Sequence, residues 1–156
     1  MDERAAEFAS EVADRHGIDV TVEEFPEGTE TAAEAADVVG CDVAQVASSL
    51  VFVADGAPVV VVTSGANRVS ERRLADLLDA GEVRMANPEE VAEATGYEVG
   101  GVAPLCHDGD PAVYMDETLL EHEAVWAAAG TATTLVPVDP ERLRKAADAT
   151  AADVTG

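Results

Sequence analysis

The chain has 156 residues, 47% of them hydrophobic, which is enough for one domain with a single core. No apolar stretch approaches the ~20 residues of a membrane span, and Met1-Asp2-Glu3-Arg4 lacks the basic start of a secretory signal, so a cytoplasmic protein without membrane contact is expected. With 32 acids against 9 Lys and Arg and a net charge of -23, the chain cannot hold a duplex by neutralising phosphates, and any nucleic acid must be gripped by fitted hydrogen bonds and stacking at a small site.

Residues 3–16 carry Ala5, Phe8, Ala9 and Val12 at helical spacing, with Gly17 as a stop. Residues 18–24 alternate and are rich in β-branched side chains, which predicts a strand ending at Phe25-Pro26-Glu27-Gly28. Thr31 with Glu34 forms a capping box, residues 32–39 continue as a helix, and Gly40 stands at the C′ position. Asp42 and Gln45 repeat a weaker cap. Asp55-Gly56 between the apolar runs 50–53 and 58–63 is a hairpin cue, and the unbroken valines 59–62 predict a central strand covered on both faces.

Ser70 opens a helix with Leu74, Leu77 and Leu78 on one face and Gly81 beyond its end. A short strand at 83–85 precedes Asn87-Pro88-Glu89-Glu90, a cap with proline at N1 and two acids against the helix dipole, and Gly96 ends that helix. Residues 96–111 are irregular, which in a compact domain marks function. Strands are expected at 112–115, 124–128 and 133–138, followed by a helix capped by Asp139-Pro140-Glu141 and running to about Ala149. The domain is therefore read as residues 1–150, with 151–156 a flexible tail. These regular caps and the valine and leucine content argue against disorder through charge. The acids are spread along the chain; a few molar salt shortens the Debye length to ~3 Å or less, so the charge reads as adaptation to a salt-loaded cytoplasm.

In the irregular stretch, Gly100-Gly101 can turn main-chain N–H groups toward a ligand, and Pro104 stiffens the far side. Such a loop can serve as an oxyanion donor for an ester, although a glycine pair alone is more often a plain turn. Thr95-Gly96-Tyr97, Gly100-Gly101-Val102-Ala103-Pro104 with His107, Tyr114-Met115-Asp116-Glu117, Val125 to Thr131, and the earlier Ser49-Leu50-Val51-Phe52 together resemble the YbaK and prolyl-tRNA-synthetase-associated editing domains, over residues 31–143. The resemblance implies an α/β (α+β) fold with a mixed, partly barrel-like sheet surrounded by helices. It also implies hydrolysis of the ester joining a wrong amino acid to the terminal adenosine of tRNA, with no metal or other cofactor. The implied partners are the tRNA acceptor end with its attached amino acid and an aminoacyl-tRNA synthetase.

Position by position, the resemblance assigns the ester and adenosine cradle to Gly100, Gly101 and Pro104, with Val102 beside them. His107 matches a histidine after the loop, Asp116 an acid lining the pocket, and Gly130 a glycine in a turn that closes the site. Ser49 falls in the substrate wall. Where the family usually places a catalytic lysine this chain has Ser48, and a hydroxyl cannot replace an ammonium. The alternative reading is accordingly a non-catalytic aminoacyl-tRNA-binding module that lost the lysine.

Other residues admit plainer roles. Cys41 and Cys106 are expected as free thiols, and Cys106-His107 suggests a thiol nucleophile, yet adjacent residues in extended chain point apart. His16 and His122 are expected at the surface. Asp116 is as readily a cap for residues 117–120. Arg68, Arg72 and Arg73 form the one basic cluster and could touch tRNA, although Arg72 has Asp76 one turn on as an ion-pair partner. Tyr97 and Trp126 are read as packing residues.

Overall fold

The computed structural model describes residues 3–29, 31–109 and 111–155. Helix α1 (Glu3–His16) buries Ala5, Phe8 and Val12, and the chain leaves it through Gly17. Residues 18–22 have no regular structure, and only β1 (Glu23–Glu24) joins the sheet. The predicted strand is shorter because Glu23 and Glu24 alone reach a partner, Leu135 and Thr134. Ile18, Val20 and Val22 instead pack their side chains on the core.

Thr31 caps α2 (Ala32–Val39) by accepting from the Glu34 amide, and Gly40 ends the helix in the left-handed region. Asp42 and Gln45 close a reciprocal capping box around the 3-10 turn Val43–Gln45. β2 (Val46–Ala54) and β3 (Ala57–Ser64) then form the hairpin around Asp55-Gly56. Ser70 caps α3 (Glu71–Leu78). That helix ends at Leu78 with Asp79 capping it in the left-handed region, and Gly81, beyond its end as expected, has its amide held by the Asp55 carboxylate.

After β4 (Val83–Met85), Asn87 and Glu90 cap α4 (Pro88–Thr95), which stops at Gly96. β5 (Ala112–Asp116), the 3-10 segment Glu117–Glu121, β6 (Val125–Ala128), β7 (Thr134–Val138), α5 (Pro140–Ala147) and β8 (Thr150–Ala152) follow.

The eight strands among the described residues belong to one mixed sheet, in the order β1-β7-β6-β2-β3-β5-β8, with β4 added to β2. The β1/β7, β2/β3, β2/β4 and β6/β7 pairs are antiparallel; β2/β6, β3/β5 and β5/β8 are parallel. Side chains alternate across a strand, so the valine run of β3 is divided between two layers. Val60 and Val62 join the large core with α1, α4 and the 96–109 loop, while Val59 and Val61 meet Phe52 and Leu74 of α3 on the other face. Helices on both faces explain why an unbroken valine run, rather than an alternating one, occupies the middle of the sheet.

The end of the chain corrects the expectation of a flexible tail from residue 151. Thr150–Ala152 pairs with Tyr114, Met115 and Asp116, the Ser70 amide donates to the Val154 carbonyl, and the Val154 side chain is fully buried beside Leu74. Val154→Ala is expected to cost about 2 kcal/mol, read as a shifted denaturation midpoint; a midpoint within error of the parent would return this segment to the status of a tail.

Candidate active site

The site originates in an unequal pairing. β2 is matched along its length by β3, but its outer edge is shared by two short strands: β6 covers Val46 and Ala47, and β4 covers Phe52 to Ala54. The Ala86 amide adds one bond to the Val51 carbonyl. No strand pairs with residues 48–50 on that side among the described residues. The bare stretch opens on a cleft of about 820 Å³. Ser48, Ser49, Asn67, Arg68, Gly100 and Val102 contribute to its walls.

Alternation separates the two serines. Ser49 shares a face with Ala47 and Val51, which belong to the large core, whereas Ser48 shares the opposite face with Val46 and Leu50. The Ser49 Oγ is shielded from solvent and has no hydrogen-bond partner among the described residues. An unsatisfied buried hydroxyl costs about 1–3 kcal/mol, so its retention in a cleft wall asks for a ligand-side explanation.

Ser48 lies opposite Thr63 on β3, and the Thr63 hydroxyl donates to Asp116 on β5, so a polar row crosses the sheet under the cleft. Asp116 is 1% exposed and does not line the cleft. Its Oδ2 accepts from Thr63 Oγ1 at 3.2 Å, the Ser64 amide at 3.2 Å and Asn67 Nδ2 at 2.9 Å; Oδ1 accepts from the Thr118 amide at 3.0 Å and hydroxyl at 2.8 Å. Burial by itself would raise its pKa, but the donors from Asn67, Thr118 and Ser64 prevail and hold the carboxyl below the usual aspartate value. With every lone pair engaged, Asp116 caps the 3-10 segment and fixes the 64–67 turn that carries Asn67 and Arg68 to the cleft. The expected pocket-lining acid is thus a support behind the wall.

The irregular stretch is an Ω-loop from Gly96 to Gly109. Its ends are tied to α4 by Asp108 N–H to the Thr95 carbonyl at 3.2 Å and Gly109 N–H to the Ala94 carbonyl at 3.0 Å. Tyr97, Val102, Ala103 and Leu105 fill its interior. The Tyr97 hydroxyl donates to the carbonyls of Leu105 and Cys106, and Arg4 lies 4.9 Å above the Tyr97 ring.

At the tip, Gly101 N–H donates to the Glu98 carbonyl at 3.0 Å while Gly100 takes φ +92°, the glycine-requiring position of a tight turn. The two glycines therefore do different work. Gly100 lines the cleft and its amide has no protein acceptor among the described residues. Gly101 is buried, its amide is consumed by the turn, and a Cβ there would stand 2.7 Å from the Thr131 backbone. Gly101 is withdrawn from the oxyanion role, its smallness serving close packing instead.

The remaining loop candidates also point away from the cleft. Pro104 is buried in the loop. His107 meets the Ala103 carbonyl at 2.7 Å through Nε2, which fixes the proton on that nitrogen, and touches the Tyr97 ring edge-on. Gly130, at φ +101°, packs behind the loop within 3.3 Å of Arg4 and Tyr97 at its would-be Cβ. Pro104 and His107 brace the loop from inside, and Gly130 abuts it from behind.

The Cys106 thiol is pushed up to about 11 by burial and by the nearby Glu11 carboxylate, so it stays protonated and is no nucleophile at neutral pH. Both cysteines are free. Neither His16 nor His122 lines the cleft. Among the described residues it is Arg73, not Arg72, that forms an ion pair in the basic cluster, reaching Asp153 at 3.8 Å. Among the described residues no group of three or more His, Cys, Asp or Glu could hold a metal. Asn67 escaped the sequence reading; the signal available was the abrupt change from valines to Thr63-Ser64 at the end of a central strand.

The site is thus a forked mixed sheet flanked by helices, with a loop glycine and hydroxyl side chains around an open cleft. The aminoacyl-tRNA editing domain model matches residues 26–146. The chain is 36% identical, with a TM-score of 0.93, to a crystal structure described as a candidate trans-editing enzyme for prolyl tRNA synthetase, covering 100% of this chain and 99% of that one. It is 30% identical to the uncharacterized protein YwhH of Bacillus subtilis strain 168 over 78% of each chain. It is also 36% identical over 92 residues to the proline--tRNA ligase of Lactobacillus johnsonii, matching 59% of this chain but 16% of the ligase. The chain belongs to the aminoacyl-tRNA editing domain family.

Two substitutions check these assignments. Asp116→Asn should lower stability by about 2–3 kcal/mol at neutral pH. Because the folded-state pKa is depressed, the parent's advantage holds above the ordinary aspartate value of ~3.9 and disappears as pH falls through the folded value; a pH-independent gap between the two proteins would refute the assignment. Gly101→Ala should cost about 1–3 kcal/mol through the Thr131 clash, and a denaturation curve like the parent's would show that the close approach is not needed.

Proposed function

We propose that this protein is a trans-acting deacylase that hydrolyses the ester of mischarged aminoacyl-tRNA in the cleft beside β2. The observation that carries the reading is the Gly100 amide, left without a protein acceptor on the wall of that cleft. A main-chain N–H aimed at the developing oxyanion contributes about 3–4 kcal/mol, and needs no ionisable side chain. The aminoacyl ester is already activated, and the neighbouring ribose hydroxyl can position the attacking water. Ser48 and Thr63 offer hydroxyls, not a general base, at the place where the family lysine would stand. The names of the relatives support tRNA charged by proline--tRNA ligase as the substrate, with that synthetase as a partner.

Arg68 is the cation on the cleft wall, and no ion pair within 4.0 Å occupies it among the described residues, which suits it to a phosphate of the acceptor end. A single such contact is consistent with a chain of net charge -23 that recognises a terminus rather than a duplex. We place the protein in a salt-loaded cytoplasm, where that charge is screened.

A binding module without chemistry is the second reading, favoured by Ser48. Release of labelled amino acid from a panel of mischarged tRNAs, including tRNA for proline, in concentrated KCl separates the two. Parent protein is expected to deacylate at least one member, with Ser48→Lys improving the rate. A silent parent revived by Ser48→Lys would establish the second reading, and silence of both, with the fold intact, would dismiss hydrolysis.

A further inference from the structure

The bare stretch of β2 has a chemical polarity of its own. Main-chain groups alternate sides along a strand, and the Val51 carbonyl, which takes the Ala86 amide, identifies the odd-numbered residues as those facing the outer edge. The register agrees: the even-numbered Val46 carbonyl accepts from Gly65, on the β3 side. Ser49 therefore directs both its N–H and its C=O into the gap between β6 and β4, where no described strand takes them. One residue's worth of ladder is missing, inside the cleft.

We propose that the aminoacyl group of the substrate fills this vacancy as a strand of one residue, its α-ammonium donating to the Ser49 carbonyl and its ester carbonyl accepting from the Ser49 amide. The inference rests on the deacylase reading of the cleft and names how the amino acid is held there. An aminoacyl ester carries a donor and an acceptor with the spacing of a peptide residue, which the adenosine and the phosphates do not. Strand addition of this kind recognises main-chain atoms and leaves side-chain choice to the adjoining surface.

The geometry also imposes a hand. Residues paired across an antiparallel ladder project their side chains to the same face, so an L-amino acid docked on Ser49 sends its side chain to the Ser49 face. There the cleft is walled by Ala47, Val51, Val91 and Val102, all members of the large core, and by the unpartnered Ser49 Oγ. A D-amino acid in the same register would send its side chain to the opposite face, toward Ser48 and Thr63. Ser49 is thus a positioning residue through its backbone and borders the side-chain recess through its hydroxyl.

The test uses non-hydrolysable amides of 3′-amino-3′-deoxyadenosine, so that binding is read without turnover. Four ligands carry the same side chain, that of the amino acid released fastest in the deacylation panel, or alanine if none is released. They are the free-amine L form, its N-acetyl derivative, the des-amino acyl form and the free-amine D form. Calorimetric titration of the full chain in molar KCl suppresses non-specific attraction between the ammonium and the acidic protein. The L form is expected to bind about 10- to 100-fold more tightly than the N-acetyl and des-amino forms, which lose the charged donor, and more tightly than the D form, whose side chain is turned to the opposite face. Backbone hydrogen exchange should show the Ser49 amide protected in the complex with the L form.

Equal affinity of amine-bearing and amine-lacking ligands, an unprotected Ser49 amide, or failure of all four to bind would overturn the proposal. The first two results leave deacylation itself standing. Conversely, a protein silent on every mischarged tRNA that still shows the tenfold preference would lose the enzymatic reading and keep this one.

Discussion

The structure depends on a mismatch in strand length. β2 spans Val46–Ala54 and has a full-length neighbour on one side only; on the other, β6 and β4 cover its two ends and leave the middle bare. Backbone polar groups in a folded interior are ordinarily all paired, because an unpaired N–H or C=O forfeits hydrogen bonds it had in water. A gap of this kind persists because it faces an open cleft instead of packed side chains. The covered ends anchor the strand, and the uncovered middle lies open on the cleft.

Everything around the gap keeps it open and shaped. Asp116 gathers five donors from β3, the 64–67 turn and the 3-10 segment, which anchors the side of the cleft that bears Asn67 and Arg68. The Ω-loop supplies the other side, tied at its base to α4 and packed at its tip against the Gly130-Thr131 turn. Its rigidity comes from Tyr97 and His107 bonding to loop carbonyls, and from Gly101 lying against the Thr131 backbone. A loop so braced can hold one amide, that of Gly100, in a fixed direction, and preorganisation is what gives a main-chain donor its effect on an ester.

Legibility differed between elements and site. Caps and stops at Thr31, Asp42, Ser70, Asn87, Gly96 and Asp139 bound the helices where they were expected, since each cap is a contact among residues two to four apart. Strand 18–24 shrank to Glu23–Glu24 and the tail after 150 became β8 because both outcomes hinge on a partner distant in sequence. Four of the candidate residues, Ser48, Ser49, Gly100 and Val102, line the cleft, whereas Gly101, Pro104, His107, Asp116 and Gly130 sit behind its walls. A motif records which residues a site needs, but whether each faces the ligand or props a neighbour that does is a matter of direction. Gly100 and Gly101 make the point: adjacent and chemically identical, one lines the cleft with no acceptor for its amide among the described residues and the other spends its amide on Glu98.

By itself the sequence determined the order of the helices and of the strands before the last, the hairpin at Asp55-Gly56 and the central place of the valine strand, and it marked residues 96–111 as irregular, all of which follow from side-chain periodicity and short-range capping. Only the tertiary structure decided that β6 and β4 would meet β2 at its two ends, and so where the polar backbone of Ser49 would be left open. That outcome is set by the lengths and registers of strands separated by some thirty to eighty positions along the chain. Pairing at such range is fixed by the packing of the whole core, and no local pattern of residues encodes it.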